Sequence, residues 1–109
     1  MDIENISQQI LKKLGELGAK NVEYYNTEGA CNYAKRIIIA TAKDNLSAKN
    51  IALSIKDTLK SECECYHTDG IYKGEWVILD FGYILVHIFQ KEIRQKFNID
   101  KMWLSCKIN

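Results

Sequence analysis

Apolar residues along the chain switch between a helical and a strand period, and each switch marks an element. Ile3, Ile6, Ile10, Leu11, Leu14 and Leu17 form one stripe of a 3.6-residue helix, with Glu4 suited to its first turn and Gly15 and Gly18 to its end. Residues 22–26 read as a short strand. The run Arg36-Ile37-Ile38-Ile39-Ala40-Thr41 has no polar alternation and reads as a fully buried strand. Asp44 or Ser47 can cap a second helix carrying Ala48, Ile51, Ala52, Ile55 and Leu59 on one face. A strand is expected near residues 63–67, followed by a turn at Asp69-Gly70. Residues 75–80 and 83–89 read as two strands joined through Phe81-Gly82, and residues 91–97 as a short helix. Ile99, Met102 and Trp103 are expected to pack back on the sheet. The sum is an α/β layer fold, a mixed sheet of about five strands with flanking helices.

The pair of strands carries the most information. If Phe81-Gly82 closes a two-residue hairpin, Asp80 pairs with Tyr83, Ile78 with Leu85 and Trp76 with His87, all on one face. Val77, Leu79, Ile84, Val86 and Ile88 then share the other face, which is purely aliphatic and reads as core. The first face mixes Trp76, Tyr83 and Phe89 with Asp80 and His87, a composition that suits a selective docking surface. It equally suits a face covered by a helix that satisfies its polar tips. A glycine bulge in the turn would instead move Trp76 and Ile78 onto the aliphatic side.

Composition narrows what such a surface can meet. With 109 residues, 47% of them hydrophobic, the chain fits one domain, residues 1–109, with one core. Fifteen basic against fourteen acidic residues leave no bulk positive field, so sequence-specific nucleic-acid binding is not expected and any partner is recognised locally. The longest apolar runs are too short to span a bilayer and the acidic start does not resemble a signal peptide, so a cytoplasmic protein without a membrane role is expected. In that compartment Cys31, Cys63, Cys65 and Cys106 stay reduced.

Catalytic and metal chemistry find little support. Cys63, Cys65 and His67 are zinc-ligand types at alternate positions, but on an extended strand they stand roughly 6.5 Å apart in a row and splay from a single ion. A strand with buried thiols, which are common core residues, accounts for them better. A cysteine nucleophile activated by His67 or His87 lacks an identifiable orienting residue and oxyanion loop. Asp80 has no neighbouring acid, and Asp69 or Asp100 could join it for two-metal chemistry only through the fold. No glycine-rich phosphate loop occurs. No cofactor and no metal are expected.

The C-terminal half is nevertheless distinctive. Asp69-Gly70, then Glu75-Trp76-Val77-Ile78-Leu79-Asp80-Phe81-Gly82, then Leu85-Val86-His87-Ile88-Phe89, Arg94-Gln95-Lys96-Phe97 and Met102-Trp103 resemble the ribosomal silencing factor family, also called Iojap-like. Ile37-Ile38-Ile39-Ala40-Thr41 and the Ile51-Ala52 helix extend the resemblance. The chain departs from the family pattern at Lys35, where an aspartate is usual, at Ala42, where a glycine is usual, and at Tyr83, the second aspartate of the D-h-G-D turn.

That resemblance implies a fold similar to nucleotidyltransferases without their catalytic acids. It also implies a translational repressor that binds the large ribosomal subunit, on its fourteenth ribosomal protein, at the intersubunit face, and so blocks joining of the small subunit. Trp76, Ile78, Asp80, Tyr83, Leu85 and His87 are the candidate partner-binding residues. Two other classes stay open: a regulatory homodimer pairing through the Trp76 face, and a nucleotidyltransferase-like enzyme that retains phosphoryl transfer.

Overall fold

The aliphatic run of residues 36–42 is drawn into the sheet from both sides. The computed structural model describes residues 1–108, which form α1 (Ile3–Glu16), β1 (Lys20–Asn26), β2 (Arg36–Ala42), α2 (Asn45–Leu59), β3 (His67–Asp69), β4 (Trp76–Asp80), β5 (Ile84–Gln90) and α3 (Lys91–Phe97), then a 3-10 helix at Ile99–Cys106. The strands form one mixed sheet in the order β1-β2-β5-β4-β3. β2 runs parallel to β5, and every other neighbouring pair is antiparallel. Ile37, Ile38, Ile39 and Ala40 are at most 1% exposed, as an unbroken apolar strand requires.

Capping residues set the helix limits. Asp2 accepts the Asn5 N–H at 3.0 Å to open α1, and Asp44, rather than Ser47, opens α2 by accepting the Ser47 N–H at 2.8 Å. Beyond α1, Gly18 takes φ +80° while the Ala19 N–H returns to the Leu14 carbonyl, a left-handed stop.

Each sheet face buries its own cluster. On one, α1 and α2 press Ile6, Ile10, Leu14, Ile51, Ile55 and Leu59 onto Ile38, Val77, Leu79, Ile84, Val86 and Ile88. On the other, Tyr25, Ile37, Ile39 and Phe89 lie with Trp103, Ile93 and Ile99 of the C-terminal segment. The chain end also bridges to β1: Lys107 pairs with Tyr25, and the Ile108 N–H reaches the Tyr24 carbonyl.

Two local expectations are corrected. The strand anticipated at residues 63–67 begins only at His67, because the free Leu59 carbonyl at the end of α2 captures the Glu62 and Cys63 N–H groups and keeps the chain coiled. The first β3 bond runs from the Tyr66 N–H to the Asp80 carbonyl. Met102 does not pack on the sheet and is 65% exposed. A three-residue repeat turns Asp100, Trp103 and Cys106 inward together, which points Met102 away. Among the described residues no helix is long and apolar enough to cross a membrane.

Candidate functional site

The β4–β5 turn lies one residue later than the sequence suggested. Gly82 and Tyr83 are its central pair: the Phe81 N–H bonds the Ile84 carbonyl at 3.0 Å, and Gly82 supplies φ +90° at the first turn position. Asp80 helps fix it, its carboxylate accepting the Gly82 N–H at 2.8 Å. The pairs are therefore Trp76 with Phe89, Ile78 with His87 and Asp80 with Leu85, in place of the expected Trp76–His87, Ile78–Leu85 and Asp80–Tyr83. Moving the turn by one residue changes each partner by two positions, so the division into faces is preserved.

Trp76, Ile78, Asp80, Leu85 and His87 consequently share one face. Paired residues form rows across it: Ile37, Leu85, Asp80, His67 in one, and Ile39, His87, Ile78, Asp69 in the next. Burial declines along each row. Ile37 and Ile39 are closed off by the C-terminal segment, Leu85, Ile78, Asp80 and Trp76 are half-buried, and His67 and Asp69 are exposed. α3 and the 3-10 helix cover the β1–β2 side and leave the β4–β3 side open.

Trp76 is held rigidly at the boundary. Its ring stacks on Phe89 at 4.7 Å between centroids, and Phe97 of α3 lies 5.0 Å away. The indole N–H donates to Nδ1 of His87 at 3.0 Å. His87 is 8% exposed, so it supports Trp76 from below and is not a free contact residue. Burial lowers its pKa to about 4, which leaves the imidazole neutral with Nδ1 free to accept. Because the unfolded side chain protonates near 6.5 and the folded one only near 4, stability is full above about pH 6.5 and falls as pH drops between those values. His87→Asn, which keeps an acceptor beside Trp76, should lose about 2 kcal/mol less than the native chain between pH 7 and pH 5 in urea melts.

Tyr83 sits in the turn and not on the strand face, 52% exposed at the rim. Lys35 lies over its ring, Nζ 4.8 Å from the centroid, and the Tyr83 carbonyl accepts the Lys35 and Arg36 N–H groups at 2.7 and 3.0 Å. The acids weighed as partners of Asp80 are occupied elsewhere. Asp69 accepts the Gly70 N–H, and Asp100 takes a two-pronged bond from Arg94 at 2.9 and 3.0 Å plus the Tyr25 hydroxyl at 2.7 Å. Cys63 and Cys65 pack against the core while His67 is exposed, so the three do not face one point. Among the described residues no group of three His, Cys, Asp or Glu side chains is placed to hold a metal ion.

Arg94 is the residue that sequence reasoning left without a role. Its other amino group donates to the Asn21 carbonyl at 2.8 Å and the Thr41 hydroxyl at 2.9 Å, so one side chain ties α3, the 3-10 helix, β1 and β2 together. Burial pushes the Asp100 carboxyl up, but the bonds from Arg94 and Tyr25 outweigh it and the pKa is lowered. Only the spacing Arg94-Gln95-Lys96-Phe97 hinted at such a position.

A model of the family described as ribosomal silencing factor during starvation matches residues 1–109. The chain belongs to the ribosomal silencing factor family. It is 28% identical to the ribosomal silencing factor of Chromobacterium violaceum over 94% of this chain and 85% of that one. It is also 27% identical to the mitochondrial Iojap-related protein of Arabidopsis thaliana, over 93% of this chain and 60% of the plant protein. A crystal structure of a C. violaceum protein, 28% identical, superposes with a TM-score of 0.91 over 94% of this chain and 87% of that chain.

In this silencing factor the departures from the family pattern fall into two groups. Lys35 and Tyr83, which stand where carboxylates are usual, touch each other, so the two substitutions act at one place. Ala42 closes β2 opposite Gln90 without positive φ, so the backbone there asks for no glycine.

Proposed function

We propose that this protein is a translational repressor that acts by occupancy: it docks on the large ribosomal subunit, through the fourteenth ribosomal protein at the intersubunit face, and blocks joining of the small subunit. The observation that carries the reading is the half-covered sheet face. It offers the rigid Trp76 with Ile78 and Leu85 as an apolar centre, and Asp80 and Tyr83 as a polar rim. The names of the relatives, silencing factors, support the same reading. No catalytic step, cofactor or metal enters it, and the 109 residues act as one cytoplasmic domain. A protein that binds the free large subunit and not the joined ribosome lowers the apparent joining constant by the factor 1 + [L]/Kd. A hundredfold excess over Kd opposes joining by about 2.7 kcal/mol.

Substitutions on the open face, at the turn and on the buried side of β4 separate docking from folding. Tyr83→Ala and Trp76→Ala should weaken large-subunit binding, Trp76→Ala by about 30-fold or more as a central aromatic anchor, while both chains stay folded. Leu79→Ala, on the buried side of β4, should cost about 2–5 kcal/mol in urea melts and leave the affinity of the folded protein unchanged. Purified subunits mixed with excess protein and separated on a density gradient test the function itself. An undiminished peak of joined ribosomes, with the isolated large subunit already saturated, would defeat the proposal.

A further inference from the structure

The carboxyl ends of the parallel strands β2 and β5 open into a cleft of about 320 Å³ floored by Thr41, Ala42 and Gln90. Ligands of open α/β sheets gather outside this end of the strands. Three lysines from separate elements ring it: Lys20 at the start of β1, Lys43 after β2 and Lys91 at the start of α3. All three are exposed, and among the described residues none is ion-paired. Glu92 is the one acid lining the cleft. The adjoining depression shares Asn21, Thr41 and Lys91 with it, and there the charges cancel: Arg94 is bound to Asp100, and Lys107 lies 3.1 Å from Glu23. In a chain of fifteen basic and fourteen acidic residues, three unneutralised lysines around one opening are a local excess that the overall balance hides.

We infer that this lysine-ringed cleft holds backbone phosphates of RNA, as a second contact beside the Trp76 face. Separate mobile point charges suit a run of phosphates, and no aromatic side chain lines the cleft to stack a base, so the contact is independent of sequence. α3 joins the two sites, with Lys91 in the cleft at its first residue and Phe97 against Trp76 at its last. The assignment rests on the ribosomal reading above: a partner on the Trp76 face brings whatever surrounds it to the lysines, and on a ribosomal subunit that is largely RNA.

Fluorescence anisotropy with a labelled RNA hairpin tests it on the 109-residue chain. If the three lysines meet three phosphates of the duplex stem, affinity should fall about 40-fold between 50 and 200 mM salt. Lys20→Gln/Lys43→Gln/Lys91→Gln should remove most of that dependence, whereas Lys12→Gln/Lys13→Gln on α1 should keep it. Trp76→Ala should bind the hairpin as the native protein does even while it loses the large subunit, so failure of the docking face and failure of the cleft are read separately. Absence of hairpin binding at 50 mM salt, or an unchanged salt slope in the triple variant, would overturn the inference. So would polyglutamate of equal charge displacing the hairpin at equal concentration, since that would make the partner an acidic protein.

Discussion

Gly70→Ala is expected to abolish cooperative folding, or to cost more than about 4 kcal/mol where any folded population survives. Gly70 takes φ +78°, and a β-carbon built there would collide with the carbonyl oxygen of Trp76. Backbone cannot swing aside as a side chain can, so the start of β4 would have to move, and with it the indole at the centre of the candidate face. The comparison that isolates the collision is Gly29→Ala. Gly29 has φ +86° but open space around it, so only the conformational term of about 1 kcal/mol should appear. Chemical denaturation of both variants, followed by tryptophan fluorescence and circular dichroism, checks the pair. Equal losses would show that the crowding at Gly70 is relieved without cost.

Arg94→Met should also be damaging, at about 3 kcal/mol, the lower end for breaking a buried pair, because it strands a part-buried carboxylate. The Arg94 and Asp100 side chains are only 13% and 20% exposed, and Asp100 also holds the Tyr25 hydroxyl. Arg94→Lys should recover little, since an ammonium cannot fork to both carboxylate oxygens and also reach Asn21 and Thr41. Removing both charges in Arg94→Met/Asp100→Leu should restore much of the loss, as equilibrium urea unfolding of the two variants will show. A double variant no more stable than Arg94→Met alone would mean that the damage comes from lost packing of α3 and not from the abandoned charge.

Elements whose pattern has one physical cause were legible in the sequence, and those where two causes compete were not. Alternation in β4 and β5 assigned Val77, Leu79, Val86 and Ile88 to the core, since a side chain's face depends only on parity. The pairing partners depended on which two residues close the turn. Gly82 decided this by taking the first central position, with Asp80 bound to its N–H. At Cys63, Cys65 and His67 alternate spacing suggested a strand, but the end of α2 had a carbonyl left to satisfy. The aromatic composition of the candidate face was readable. That His87 would lie beneath Trp76 and Tyr83 beneath Lys35 was not, because both follow from the turn and from the path of α3. The Arg94 network joins residues as far apart as Asn21 and Asp100, a closure that no local pattern records.

The ends of the sheet bear on whether copies can add to one another strand by strand. A free strand edge is a template on which another copy can add, the first step towards aggregation. At the outer side of β1 the returning chain already occupies that place, through the Tyr25–Lys107 bridge and the Ile108 N–H on Tyr24. On the opposite side β3 is only three residues long, with His67 and Asp69 both exposed, and too little backbone is presented to register a partner. The protein can therefore leave an aromatic face open while denying other copies a rail of strand edge along which to stack.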